Sequence, residues 1–448
     1  MRLKPPQIII LSFLCAIIIG TLLIKLPFAV KEGNEISLVD SLFTATSATC
    51  VTGLIVKDTG SFFSPFGKIV ILTLFQIGAL GIMTFSTLFA IALGRKLTIR
   101  ENVVIQRALN QQKVENVKDL IKYILAITLG VELIGAALLF LRWTRTENWT
   151  LTDTLIRSVF HSISAFCNAG FCLFSTSFSK FFSDPYINII MISLIFIGGI
   201  GFVVILDLPK LFAFRKGFTK INIQTKMVLT VSIILIVIGA LSIFFMERNN
   251  VLAGATFKDR IFASLFQSFT SRTAGFNTVN IGNLLTPTLL VIVFLMFIGA
   301  SPGSTGGGIK TCTFGILFAT ISTMLHNKDR VSVFKATIPK EVVRKALVVF
   351  FLAITWIFLS TIALLFIEQA RLGNSGNYFM KILFEVTSAF GTVGLSTGIT
   401  PHLSAFGKIL IIVTMFVGRI GPLTAALAIA LQQEKAIYTY PEERVMVG

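Results

Sequence analysis

Eight apolar runs begin near Ile8, Ile69, Tyr123, Ile187, Met227, Leu284, Ala346 and Ile409, each long enough to cross a bilayer as a helix of about 17 to 25 residues. No other feature constrains the fold as strongly. Lipid offers no partner to a backbone N–H or C=O, so runs of this kind must close their hydrogen bonds internally as helices. The composition agrees, with 54% hydrophobic and 13% charged residues where soluble domains carry about 25% charged. The sequence reads as an all-α polytopic membrane protein with eight transmembrane helices. Ile8 to Ile24 is taken as the first of them, because no small-residue cleavage site precedes Lys25 and Pro27.

The formal net charge of +18 is distributed over alternate loops, which argues for topology and against a nucleic-acid partner. Arg95, Lys96, Arg100, Arg107, Lys113, Lys118 and Lys122 fill one loop. Lys210, Arg215, Lys216, Lys220 and Lys226 fill a second, and Lys328, Arg330, Lys335, Lys340, Arg344 and Lys345 a third. The positive-inside rule makes these loops cytoplasmic. With Arg2 and Lys4 at the start and an even number of spans, both termini are expected on the cytoplasmic side of the cell membrane. The cysteines, at positions 15, 50, 167, 172 and 312, lack metal-ligand spacing and receive no redox or zinc role.

Within each pair of spans lies a shorter segment: Leu38 to Cys50, Thr154 to Cys167, Ile261 to Ser271 and Phe379 to Phe390. Each has helical composition but is too short to cross, the signature of a re-entrant pore helix. Four stretches then repeat one pattern: SLFTATSATCVTGL from Ser41, SVFHSISAFCNAGF from Ser158, SLFQSFTSRTAGF from Ser264 and ILFEVTSAFGTVGL from Ile382. Their glycines are Gly53, Gly170, Gly275 and Gly394. A long internal repeat of this kind implies four stacked copies of one unit, expected at 1–100, 101–220, 221–340 and 341–448 around one pore with pseudo-fourfold symmetry.

Non-helical backbone at membrane depth survives only where protein buries it or where it lines a cavity. Four turns around one axis would present a ring of carbonyls, a suitable cage for a dehydrated monovalent cation. The stretches TCVTG, FCNAG, SRTAG and FGTVG carry no carboxylate, so backbone dipoles must coordinate. The candidate filter residues are Val51, Thr52 and Gly53; Asn168, Ala169 and Gly170; Thr273, Ala274 and Gly275; and Thr392, Val393 and Gly394. The third copy is one residue shorter between Phe266 and Gly275, and it places Arg272 where the others have Cys50, Cys167 and Gly391. A pore-facing cation would repel the substrate, so Arg272 is expected to point behind the filter.

These four registered glycines, together with GASPGSTGGGIKT at Gly299 to Thr311, resemble the superfamily of Trk, Ktr and HKT potassium transporters over essentially the whole chain. The bacterial Ktr pore-forming subunit is the most similar member. The resemblance implies potassium uptake, sodium-dependent, with potassium the only metal held by the filter, through backbone carbonyls, sodium as an accompanying ion and no covalent cofactor. It also implies a homodimer with one pore per protomer and a cytosolic nucleotide-binding ring of KtrA-type RCK subunits, so that nucleotide is bound only by the partner. Glycine at position 53, where sodium-selective plant relatives have serine, implies potassium selectivity. The break in the third copy's second span then becomes an intramembrane gate: Gly299, Ser301, Pro302, Gly303, Ser304, Thr305, Gly306, Gly307, Gly308 and Lys310. Its glycines allow several backbone conformations.

Arg419 lies in the middle of the last span, where a charge costs about 2.5 to 3.5 kcal/mol and must meet a partner or water. Loop carbonyls and Glu385 are the candidates, and the role is either gating or a structural tie between helices. Glu132 has no partner legible in the sequence. The likeness of GSTGGGIKT to a phosphate-binding loop fails, because Ile309 separates Gly308 from Lys310 and no strand precedes it; an ATP-driven enzyme is therefore not expected. An alternating-access cation symporter remains the alternative, although such folds usually show inverted repeats and here every copy starts on the same side.

Overall fold

The computed structural model describes residues 5–81, 117–213, 221–372 and 378–429. Of the charges used above for topology, Arg2, Lys4, Arg95, Lys96, Arg100, Arg107, Lys113, Arg215, Lys216 and Lys220 lie outside the described residues. The remainder is predominantly helical, with one two-stranded hairpin pairing Ser332–Val333 with Ala336–Thr337.

Each copy opens with a long helix: α1 (Pro5–Lys25), α4 (Val117–Thr146), α8 (Ile223–Met246) and α12 (Lys340–Leu372). These four contain the segments long and apolar enough to cross a membrane by length and composition. They carry rows of exposed apolar side chains, such as Leu11, Ile18 and Leu22 on α1 and Ile233, Val237 and Leu241 on α8, a pattern suited to lipid rather than water.

The short helices come next: α2 (Leu38–Thr49), α5 (Leu151–Phe166), α9 (Phe257–Thr270) and α13 (Tyr378–Gly391). Three begin on one capping device. The hydroxyls of Ser37, Thr150 and Thr256 accept from the N–H groups of Asp40, Asp153 and Asp259, satisfying a donor that the first turn leaves unpaired. These caps start α5 and α9 three to four residues before the positions expected from apolar pattern alone. In contrast to the long helices, the short ones are largely enclosed; α2 is buried almost throughout from Asp40 to Thr49.

The second helices are α3 (Pro65–Leu80), α6 (Pro185–Ile200), α10 (Thr286–Phe297) and α14 (Ala405–Ile420). At 16, 16, 12 and 16 residues they are shorter than the expected spans, and three of them share the reason. Gly81, Gly201 and Gly421, at φ +81°, +92° and +91°, end three of them in the left-handed region that favours glycine. After Gly201 the chain turns by 105° into α7 (Phe202–Ala213). After α14 it continues as α15 (Pro422–Ile429), and after the loop that follows α10 it resumes as α11 (Thr311–Leu325). The break expected only in the third copy thus recurs in the second and fourth, and in the first the described helix ends at the corresponding Gly81; the third differs in inserting a long loop at it.

The second helix of each copy packs on the short helix of the next: α3 on α5, α6 on α9, α10 on α13, and α14 back on α2. The circle closes between last and first copies, where Lys408 Nζ meets Asp40 Oδ1 at 2.7 Å.

Candidate functional site

At the centre of that circle the four repeated turns meet. A Cβ placed on Gly53 would lie 2.5 Å from Ala169 O, on Gly170 3.0 Å from Ala274 O, on Gly275 2.5 Å from Val393 O, and on Gly394 2.2 Å from Thr52 O. The glycines therefore form a closed ring in which each abuts the carbonyl that precedes the next. No side chain fits at any of the four positions without displacing backbone.

The backbone in the turns is unusual. Val51, Asn168, Thr273 and Thr392 have φ of +57°, +56°, +77° and +49°, and the glycine two residues later is left-handed again, at +87°, +70°, +80° and +91°. Three of these four non-glycine residues are β-branched, for which positive φ is a true outlier. Such strain costs about 1 to 3 kcal/mol per residue and persists only where the surroundings over-determine it.

A hydroxyl near the end of each short helix supplies part of that determination. Ser47 Oγ accepts from Gly53 N and donates to Leu54 O, Ser164 Oγ donates to Phe171 O, Thr270 Oγ1 donates to Phe276 O, and Ser388 Oγ accepts from Gly394 N. The backbone carbonyls of Ser47, Ser164 and Ser388 accept from Thr52, Ala169 and Val393 at 2.8 to 2.9 Å. In the shortened third copy Thr270 takes this place one residue closer to its glycine, and its carbonyl accepts from both Ala274 and Gly275. The small hydroxyl residues of the repeat were visible in the sequence; their role as clamps was not.

The residue after each repeat phenylalanine supports the descending segment in three copies. His161 Nε2 accepts from Leu173 N, and the Gln267 amide faces Thr278 Oγ1 at 3.5 Å. The Glu385 carboxylate accepts from Thr397 N at 3.0 Å, Thr400 Oγ1 at 2.8 Å and the Ser396 hydroxyl. Glu385 is thereby removed as a partner of Arg419. Glu132 gains partners that sequence reading did not find, since Gln76 Nε2 donates to both its oxygens at 3.0 and 3.2 Å and Cys167 Sγ lies 3.8 Å away. Arg272 is buried and turns toward α8, with its Nη atoms 3.4 Å from Ser232 O and 3.5 Å from Gly299 O.

The loop from Gly299 to Thr311 lies against this ring. Ser301 N donates to Gly199 O, Thr305 N to Gly198 O, and Thr305 Oγ1 approaches Phe166 O and Gly198 O. Gly307 N donates to Thr392 Oγ1 at 3.0 Å, and Lys310 Nζ to Gly306 O at 2.7 Å. Arg419 donates from one Nη to Thr305 O and from the other to Gly78 O, so its guanidinium ties the loop to the first copy. The consecutive glycines serve close approach rather than freedom alone. A Cβ on Gly306 would lie 2.1 Å from Thr273 Oγ1, and one on Gly307 2.5 Å from Thr392 Oγ1. The loop follows helix α10, not a strand, which removes the phosphate-loop reading. Among the described residues no cluster of His, Cys, Asp and Glu could hold a metal ion.

The chain is 40% identical to the Ktr system potassium uptake protein B of Bacillus subtilis, over 100% of this chain and 97% of that protein. It is 40% identical to the protein of the same description from Vibrio alginolyticus, over 99% and 95%. Identity is 36% to the potassium/sodium uptake protein NtpJ of Enterococcus hirae, over 100% and 98%. Among solved structures it resembles the potassium transporter TrkH of Vibrio parahaemolyticus, with a TM-score of 0.72 and 20% identity over 94% of this chain and 84% of that one, which shows the shared fold. The family model for TrkH, cation transport protein, matches residues 5–439. The chain belongs to the TrkH family of cation transport proteins, membrane transporters and not enzymes.

Proposed function

We propose that this chain forms the pore of a potassium uptake system in the cell membrane, with a selectivity filter made of backbone carbonyls and a separate gate. The observation that carries the reading is the closed ring of Gly53, Gly170, Gly275 and Gly394, with the carbonyls of Thr52, Ala169, Ala274 and Val393 at its four junctions. A ring of carbonyl dipoles replaces the hydration shell of a monovalent cation. The short helices end at these turns, directing the negative ends of their dipoles toward the same place. An inside-negative potential supplies about 2.3 kcal/mol per charge per 100 mV for inward movement.

In this reading the four copies, 1–100, 101–220, 221–340 and 341–448, each contribute two membrane-crossing segments and one re-entrant helix, for eight spans in all. Both termini and the three basic loops face the cytoplasm. The cyclic packing of each second helix on the next short helix relates the copies by rotation, which favours a pore over an alternating-access symporter built on inverted repeats. The loop from Gly299 to Thr311 is the gate, held closed in part by Arg419. The names of the Ktr relatives, potassium uptake proteins of a named system, support potassium as the ion and a partnered assembly; the homodimer and the cytosolic nucleotide-binding ring are carried by the family resemblance. The potassium/sodium relative supports sodium as the accompanying ion.

The test is cation flux into liposomes containing the purified chain, with potassium, rubidium and sodium compared. Potassium and rubidium flux well above sodium is expected; equal flux of all three would remove the filter assignment.

A further inference from the structure

The position two residues before each ring glycine is occupied by Val51, Asn168, Thr273 and Thr392, and these side chains meet different neighbours. Val51 packs against the place of Gly78, where a Cβ would lie 3.0 Å from its Cγ2, and Asn168 faces Gly199. Thr273 and Thr392 present hydroxyls to the loop: Thr273 to Gly306 and Thr392 to Gly307. Only the Thr392 contact is a hydrogen bond from the loop backbone, Gly307 N to Thr392 Oγ1 at 3.0 Å, and both atoms belong to buried residues.

We infer that Thr392 is the positioning residue that couples the gate to the filter, its hydroxyl holding the loop closed while its backbone forms part of the ring. The inference rests on the gate reading above. Thr392 is a β-branched residue at φ +49°, so its backbone is strained, and the hydrogen bond to the loop fixes the side chain of that strained residue. When the loop moves, the Gly307 N–H and the Thr392 hydroxyl must both find other partners, because an unpaired buried polar group is costly. An ion or water at the cytoplasmic mouth of the ring can supply the hydroxyl's partner. Loop position and ion occupancy at the fourth copy are in this way linked through one side chain. Gly306 and Gly307 are glycines because that link requires the loop backbone to touch the two threonine hydroxyls.

Thr392→Val keeps the β-branched shape and removes the acceptor; Thr392→Ser keeps the hydroxyl. Both are placed in the full chain and in a chain lacking Gly306 to Gly308, where the bond cannot form. Potassium flux into liposomes and potassium-to-sodium preference are measured at matched incorporation, with folding checked by size-exclusion chromatography. Thr392→Val is expected to raise basal potassium flux about threefold to tenfold above Thr392→Ser in the full chain, where Thr392→Ser stays nearer to wild type, and the gap between the two variants is expected to close in the shortened chain. Thr392→Ala, which also lacks the acceptor, replaces the valine variant if that does not fold. An equal gap between the two variants in both backgrounds, or no gap in the full chain while loop shortening alone does raise flux, would overturn the inference and leave the gate reading intact. Loop shortening without any rise in flux would overturn both.

Discussion

The ring of turns and the loop against it are both glycine-rich, both largely buried and in contact, yet they are held in opposite ways. Each turn is clamped from within its own copy, by a hydroxyl and a carbonyl five or six residues earlier on the same chain segment, as in Ser47 with Gly53 and Ser388 with Gly394. The loop is held largely by groups far away in sequence: Phe166 and Gly198 of the second copy, Thr392 and Arg419 of the fourth. Locally clamped backbone keeps its shape when its surroundings shift. Backbone held by distant partners moves when any of them moves. The contrast supports the proposal of a fixed filter and a separate, movable barrier.

The sharpest way to break the comparison is at the ring. Gly394→Ser places a side chain 2.2 Å from Thr52 O at φ +91°, so the carbonyl must move. Potassium preference over sodium is expected to fall at least about tenfold, equivalent to about 1.4 kcal/mol, in competition uptake assays; Gly53→Ser should follow. Wild-type preference in the Ser variants at all four glycines would mean that the ring does not select.

Next in size is Gly306→Ala, which drives a methyl against Thr273 Oγ1 at 2.1 Å. The loop should be displaced and basal flux rise severalfold with little change in preference, as measured by rubidium uptake with and without sodium competition. A smaller rise is expected from Arg419→Ala. Thr305 O loses its donor while Gly78 O keeps Gly81 N at 3.3 Å, at about 1 to 3 kcal/mol for the one buried carbonyl left unpaired. Unchanged flux in a folded Arg419→Ala variant would reduce the arginine to a structural tie.

The smallest effect sharpens the comparison from the outer side of the ring. Glu385→Gln keeps one oxygen, in the place of Oε1, for Thr397 N and the Ser396 hydroxyl but converts Oε2, the acceptor of the Thr400 hydroxyl, into a donor. Potassium preference should drop about twofold to threefold while basal flux stays put, and a change confined to flux would contradict a role in supporting the filter.

How far the sequence revealed these two regions follows from the same contrast. The ring was legible because each turn is encoded locally and four times over, so register alone aligned Gly53, Gly170, Gly275 and Gly394. The loop was legible only as an anomaly. Its glycines suggested freedom, whereas their tight approach to Thr273 and Thr392 depends on residues about 33 and 85 positions away, which no local pattern records. Partners across copies were missed for that reason, including Gln76 for Glu132 and Gly78 O for Arg419. The shared helix breaks had a readable signal: IGALG, GGIG and GRIG, ending at Gly81, Gly201 and Gly421, with Pro302 in the third copy. Uniform hydropathy concealed it, since apolar residues continue on both sides of each glycine.

The central claim is that selection and closure reside in separable parts of the chain. It is tested most directly by potassium, rubidium and sodium flux into liposomes for the wild-type chain and for a chain lacking Gly306 to Gly308, at matched incorporation and with folding verified by size-exclusion chromatography. The account predicts higher potassium and rubidium flux in the shortened chain, by about tenfold, with the order of preference among the three ions nearly unchanged. Unchanged or lower flux in a well-folded shortened chain, or a loss of preference equal to that of Gly394→Ser, would contradict it.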